Sequence, residues 1–377
     1  MKNTLDTTVL QLDPAPGNGR NSEGAFITLR DGRIVFAYTK YITSEKGDET
    51  PAVIASRVSL DGGCTWSAQD RILVEPAGQA HNAMSVSLLR LHSGRILMLY
   101  LQKANIGQGL ACTPILRFSD DEMETVSDPL AAIRMQEYHV CNNDRIIQLK
   151  SGRLVMPISQ HRMGAHGICN PGMIFCLLSD DDGLTWAESK SSYYRCFPDG
   201  HGWQEPGVIE LQNGRLWLWA RTGWNGGERC GRQWESFSDD SGSTWCELQP
   251  SQFVSPYSPL SMKRIPTENP HGDDLLAVWN DHSGRFPTPS YGDPKWSGPS
   301  WGIHRTPLAC AISHGNGSTW HHHFLLEDAP DHGFCYTAIH FVEDAVLLAY
   351  CAGGVTTGTV LDRIRMRRIP LAQIYGE

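Results

Sequence analysis

Glu205 and Arg221 flank an Asn-Gly turn, nine residues before and seven residues after its glycine, Gly214. Both strands of a hairpin return to the same end, so these offsets bring a carboxylate and a guanidinium together. Counting back nine from the turn centres at 32, 94, 152 and 344 gives Glu23, Ser85, Asn143 and Cys335, with Tyr336 beside the last. Counting forward seven from the turn centres gives Thr39, Leu101, Ser159, Arg221, Asn280 and Cys351. Polar side chains thus collect where a hairpin core should be apolar. A phenol is a weak nucleophile, with a reference pKa of about 10. A carboxylate in hydrogen-bond reach would take its proton as attack proceeds. An arginine beside them would hold an anionic group by forked, charge-assisted bonds.

The elements that position these groups are repeated. LRDGRIVFAY (29–38), LHSGRILMLY (91–100), LKSGRLVMPI (149–158) and LQNGRLWLWA (211–220) each set a Gly-Arg turn between two apolar runs. Weaker copies are HGDDLLAVWN (271–280) and VEDAVLLAYC (342–351). Asp-Gly and Asn-Gly tolerate the positive φ of a tight hairpin turn. A second phrase runs in step: SLDGGCTW (59–66), SDDEMETV (119–126), SDDDGLTW (179–186), SDDSGSTW (238–245) and SHGNGSTW (313–320). Its Asp and Ser/Thr side chains can bond their own turn backbone while the Trp packs beneath, so it reads as a structural turn. Six units of about 60 residues built of short strands predict an all-β fold, a six-bladed β-propeller of four-stranded antiparallel blades. The N-terminal TTVLQLD and C-terminal RIRMRRIPL share the closing blade, and a single domain spans residues 1–377.

Composition narrows the function. With 32 basic against 41 acidic residues the net charge is -9, which disfavours nucleic acid and anionic membrane as partners. Apolar runs such as AVLLAY (345–350) are too short to span a bilayer, and MKNTLDTTVLQLD has no leader-like apolar core. Eleven cysteines without CxxC spacing read as reduced thiols in a cytoplasmic protein. Ligands at zinc spacing are missing, and alternation along a strand would send His321, His322 and His323 to opposite faces, so no metal is expected. Nothing in the chain specifies an oligomeric state.

Long loops rich in Gly, His, Arg and Trp leave one end of the hairpins: 39–51, 159–172, 221–233 and 280–307. Binding usually lives on such loops. The Ser-x-Asp-x-Gly-x-Thr-Trp boxes resemble those of the sialidases, and QEPGVIELQNGRLWLWAR (204–221) is similar to the stretch carrying that family's glutamate and one carboxylate-binding arginine. By that resemblance Glu205 is the general base, Tyr336 in FCYTAIHF the nucleophile, Arg221 and Arg305 two of three carboxylate-binding arginines, and Asp48 the acid/base group. Glu45 or Glu49 could serve instead of Asp48. The family's Arg-Ile-Pro at the start of the first strand is absent, and Glu23 in NSEGAF stands at or beside that position. Glu23 is assigned to acid/base work or to sugar hydroxyls. Arg20 is close by and Arg145 could enter from the third blade, though neither is in register. Asn143 and Asp144, with Arg145, form a polar cluster suited to a ligand, and Asn82 after His81 is a further candidate contact.

The resemblance implies an exo-α-sialidase-like glycoside hydrolase. It would release a terminal acidic sugar, most simply sialic acid, with retention through a tyrosyl intermediate and without metal or organic cofactor. Its partner would be a glycan or glycoside. A glycosidase acting on another acidic or neutral sugar, and a non-catalytic carbohydrate-binding propeller, are the alternatives.

Overall fold

Alternating apolar runs broken by turn residues cannot sustain a long helix, and among the described residues the regular structure is β-strand apart from one short helix at Leu371–Tyr375. The computed structural model describes residues 7–107, 109–133, 137–164, 167–198, 200–223, 231–289 and 305–377. The expected loops 159–172, 221–233 and 280–307 lie partly outside these, at 165–166, 224–230 and 290–304. Six blades succeed one another. Blade 1 runs Asn21–Thr28, Ile34–Tyr41, Ala52–Ser59, Arg71–Val74, and blade 2 runs Ala80–Arg90, Ile96–Ile106, Gly109–Ser119, Leu130–Ala131. In blade 3 the inner strand is split into Tyr138–Val140 and Ile147–Gln148, both paired to Leu154–Gly164. Leu154–Gly164 pairs Gly167–Ser179 in a long hairpin, where the sequence had suggested an open loop. Blade 4 is Gln204–Glu210, Leu216–Arg221, Trp234–Ser238, Gln249–Pro250, and blade 5 is Ser261–Arg264, Leu275–Asn280, Leu308–Ser313, His321–Glu327. Blade 6 joins Cys335–Val342, Ala345–Cys351 and Ile364–Pro370 to Thr7–Leu12 from the other end of the chain, with Thr7 opposite Arg368 and Leu12 opposite Ile364.

Among the described residues, six of the clusters of buried apolar side chains are each shared by two neighbouring blades and hold the ring. Phe26 and Phe36 of blade 1 pack with Leu347 and Met366 of blade 6, so the first and last blades share a core as the others do. Burial of apolar area between blades, worth about 25 cal/mol per Å², is what makes the sheets stack. The Ser-x-Asp turns close on themselves between third and fourth strands. Asp181 accepts from Ser179 Oγ at 2.8 Å, from the Thr185 amide at 2.9 Å and from Thr185 Oγ1 at 2.6 Å, while Trp186 Nε1 donates to Gly183 O at 2.9 Å. Asp61, Asp121 and Asp240 repeat the carboxylate bonds. With the side chains satisfied internally, these turns are structural.

Alternation fails along 321–323. His322 has φ 51° at a bulge, and both His321 and His322 come to His314, with ring centroids 5.6 and 5.8 Å away. Among the described residues no group of His, Cys, Asp or Glu side chains is disposed to hold a metal ion. No described helix is long and apolar enough to cross a membrane.

Candidate active site

Four inner strands carry the same local device. Pairing slips by one residue between Ser22 and Gly24, Met84 and Ser87, Gln204 and Gly207, and Cys335 and Ala338. The inserted position is left-handed in each: Glu23 (φ 51°), Ser85 (φ 55°), Glu205 (φ 49°) and Tyr336 (φ 57°). Non-glycine residues seldom adopt this conformation, and bulges of this kind re-aim side chains beside functional sites. The neighbouring glycines make the device fit. A Cβ on Gly24 would fall 2.4 Å from the Phe36 ring, and one on Gly207 2.4 Å from the Trp219 ring.

The bulges surround a cavity of about 580 Å³ at the mouth of the channel, within the usual range for small-ligand sites. Glu23, Asp48, Glu205, Arg221, Arg305 and Tyr336 all line it. At its centre Tyr336 Oη donates to Glu205 Oε1 at 2.9 Å. Arg221 Nε donates to Glu205 Oε2, and Arg221 Nη2 donates to Gln204 Oε1 at 2.6 Å. The Arg305 guanidinium lies 5.1 Å from the centroid of the Tyr336 ring and donates to Cys335 Sγ at 2.9 Å and to Tyr257 O at 3.3 Å.

Electrostatics separate the roles. Burial works to raise the Glu205 carboxyl, but Arg221 outweighs it and Glu205 is held below its ordinary value, hence ionised. Burial, then the Glu205 charge, pushes the Tyr336 phenol well above its ordinary value, with Arg305 and Arg221 opposing. The resting pair is therefore a neutral phenol bonded to a carboxylate. Glu23 is raised chiefly by burial, against the pull of Arg20, and accepts from Ser85 Oγ at 2.9 Å. Asp48 stands half exposed at the rim. Desolvation in the cleft pushes it up, yet Arg20 and then Lys103 prevail and hold it at about 2.

Four expected contacts lie elsewhere, each for a packing reason. Asn143 Nδ2 donates to Gly24 O (2.8 Å) and Tyr336 O (3.2 Å), stapling blades 1 and 6 together. Asp144 takes Lys263 Nζ at 2.6 Å and the Ile339 amide at 3.1 Å. Arg145 sits against Trp219 and reaches Ser261 Oγ at 3.4 Å. Asp144 and Arg145 line a separate cavity of about 330 Å³ with Lys263 and Arg264. Asn82 is buried and donates to Thr50 O at 2.7 Å, propping the segment that carries Asp48. The polar cluster of blade 3 is a plug across the channel, and Asn82 is a brace.

The register count passed over Arg20. It precedes the first strand by one position, yet its side chain lines the cavity, bonded to Asp48 and to Ser22 Oγ (3.0 Å). Lys103 was also missed, although it follows Leu101 by two residues and so faces the same side. His161, His201, Gln204 and Tyr257 add to the polar and aromatic lining, with Tyr138, Asn142 and Asn170. Among the described residues, three arginines thus face the cavity from different blades: Arg20 from blade 1, Arg221 from blade 4 and Arg305 from blade 5.

The site is thus a phenol–carboxylate pair among arginines at the channel mouth of a six-bladed propeller. Residues 32–348 match the sequence profile of the BNR repeat-like domain, and the chain belongs to that family. Among solved structures it is similar to a protein of unknown function from Dyadobacter fermentans, at 16% identity and TM-score 0.71, over 97% of this chain and 99% of that one. It is also similar to the Hadza microbial sialidase Hz136, at 20% identity and TM-score 0.70, over 94% of this chain and 66% of that one. A leech intramolecular trans-sialidase is similar at 14% identity and TM-score 0.68, over 100% of this chain and 71% of that one. Comparison with the sequences of curated proteins gives no match.

Proposed function

We propose that the protein is a retaining exo-glycosidase of the sialidase type, releasing a terminal acidic sugar from a glycoside through Tyr336. The observation that carries this reading is the 2.9 Å bond from Tyr336 Oη to Glu205 Oε1 inside a cavity lined by Arg20, Arg221 and Arg305. A carboxylate-bearing sugar would repel an Asp or Glu nucleophile, whereas a neutral phenol lets it approach; sialidases are the tyrosine exception among glycosidases. The arginines hold the sugar carboxylate. Tyr336 oxygen bonds to the anomeric carbon as Glu205 takes the phenolic proton and the bond to the leaving oxygen breaks. Asp48 supplies the proton to that oxygen. Water then attacks the anomeric carbon, Asp48 takes its proton, and Tyr336 departs with the proton returned from Glu205.

A second reading, an acidic sugar other than sialic acid, is favoured by Glu23. It lies 5% exposed beside Arg20, where it offers the sugar an additional carboxyl. Hydrolysis of an aryl α-sialoside, beside a panel of other acidic aryl glycosides, tests both. Turnover abolished by Tyr336→Phe and Glu205→Gln in a folded protein supports the first reading when the sialoside is cleaved and the second when only another acidic sugar is. Silence across the panel contradicts both.

A further inference from the structure

We propose that Asp48 and the substrate's carboxylate exchange places on Arg20, so that binding itself frees Asp48 for proton transfer. This rests on the reading given under Proposed function and adds to it a gate on the acid/base group.

Arg20 is 1% exposed, and Asp48 is the carboxylate bonded to its Nη1. The fixed partners are few. Nε donates to Ser22 Oγ, the Lys46 carbonyl lies 3.4 Å from Nη1, and among the described residues Nη2 has no hydrogen bond, with Glu23 Oε1 3.8 Å away. A buried guanidinium with an unmade bond is an anion site. Asp48 occupies it from the cavity side with a side chain that is 54% exposed, so the occupant is free to leave.

The backbone beneath Asp48 does not share that freedom. Its carbonyl accepts from Lys103 Nζ at 2.8 Å and from Asn82 Nδ2 at 3.4 Å, and Asn82 also holds Thr50 O. Lys46 Nζ, two residues earlier, is tied to Asp362 Oδ2 at 2.8 Å. Exchange is therefore a rotation of one side chain, with the segment standing still.

Charge gives the exchange its consequence. Among the described residues, Arg20, Lys103, Arg221 and Arg305 face Glu23, Asp48 and Glu205 around the cavity, which leaves one positive charge in excess for a carboxylate ligand. Arg20, Lys103 and Arg305 are the cations that favour ionised Asp48; Glu23, Tyr41, Cys112 and Tyr138 on the neighbouring strands also feel its charge, and Glu49 adjoins it. Paired with Arg20, Asp48 is too strongly held as a carboxylate to donate a proton near neutrality. Once a substrate carboxylate sits on Arg20, Asp48 loses its main counter-charge and gains a like neighbour, and both changes favour protonation. The acid is armed only when the right anion is bound.

The test is calorimetric binding of a 2,3-didehydro sialic acid at pH 5.5 in two buffers of different ionisation enthalpy. Wild type should take up about half a proton or more per ligand. Asp48→Asn should take up none, and with the competitor gone it should bind about tenfold tighter, while its turnover of an aryl sialoside with a poor leaving group falls. A merely structural Asp48 would instead give weaker binding on substitution. If wild type binds and turns over but takes up no proton, and Asp48→Asn binds no tighter, the exchange is overturned and the glycosidase reading stands. If wild type neither binds this ligand nor cleaves any acidic aryl glycoside, both fall together.

Discussion

Blades 3 and 4 each bring an acid and an arginine to the propeller axis, and the two pairs end in opposite roles. In blade 4 a one-residue bulge turns Glu205 to the channel mouth, where Arg221 from the partner strand meets it. In blade 3 the inner strand is interrupted and Asp144 (φ 59°) points the other way, to Lys263 of blade 5 and the backbone of blade 6. Arg145 follows it to Ser261 and Trp219. An acid and an arginine thus crosslink the ring in blade 3 and, by the proposed function, build the reactive pair in blade 4. The backbone beneath each acid sets which way it points: a bulge in blade 4, a split strand in blade 3.

Breaking the two pairs should separate activity from stability. Tyr336→Phe and Glu205→Gln should each lower kcat/KM on the cleaved aryl glycoside by about 10³-fold or more, and Tyr336→Phe should leave the thermal midpoint nearly unchanged. Asp144→Ala should do the reverse, costing about 3 kcal/mol in denaturant unfolding, because Lys263 and the Ile339 amide lose their partner, while KM of the folded fraction stays close to wild type. The arginines sharpen the contrast. Arg20→Met should raise KM by about 100-fold through loss of a charged contact, whereas Arg145→Met should leave KM within about twofold and lower stability instead.

The smallest effect belongs to the repeated turns. Asp181 is held below its ordinary value, since the bonds from Thr185 and Ser179 outweigh desolvation. Its unfolded value is higher, so this stabilisation is present above the unfolded pKa and is lost as pH falls through the folded one. Asp181→Asn should therefore lower the melting temperature slightly at pH 7, and the gap to wild type should close as the pH is taken below 3.8.

How far these roles could be read from sequence follows from the bulges. The turn glycines and the Ser-x-Asp phrases repeat, so blade count, closure by TTVLQLD and the offsets of Glu23, Glu205 and Arg221 were legible. Tyr336 stood one place off the count because the hairpin of blade 6 closes in a tight turn, with Val342 opposite Ala345, where blade 1 has the longer turn between Thr28 and Ile34. Asn143 fell in register by number, but a split strand has no register, and its amide went to the carbonyls of Gly24 and Tyr336. Arg20 was passed over because counting assumes that a side chain acts where its backbone lies. A long guanidinium starting outside the strand reaches back across several residues, and only packing shows where it arrives.

The central claim, that Tyr336 is the group that bonds to the sugar, is tested most directly by trapping. The protein would be incubated with a 3-fluoro sialosyl fluoride, which forms the intermediate quickly and releases it slowly, then digested and analysed by mass spectrometry. The account predicts a sugar adduct on the peptide containing Tyr336, absent from Tyr336→Phe. Inactivation by the same reagent with the adduct on Glu23, Glu205 or any other residue would contradict it.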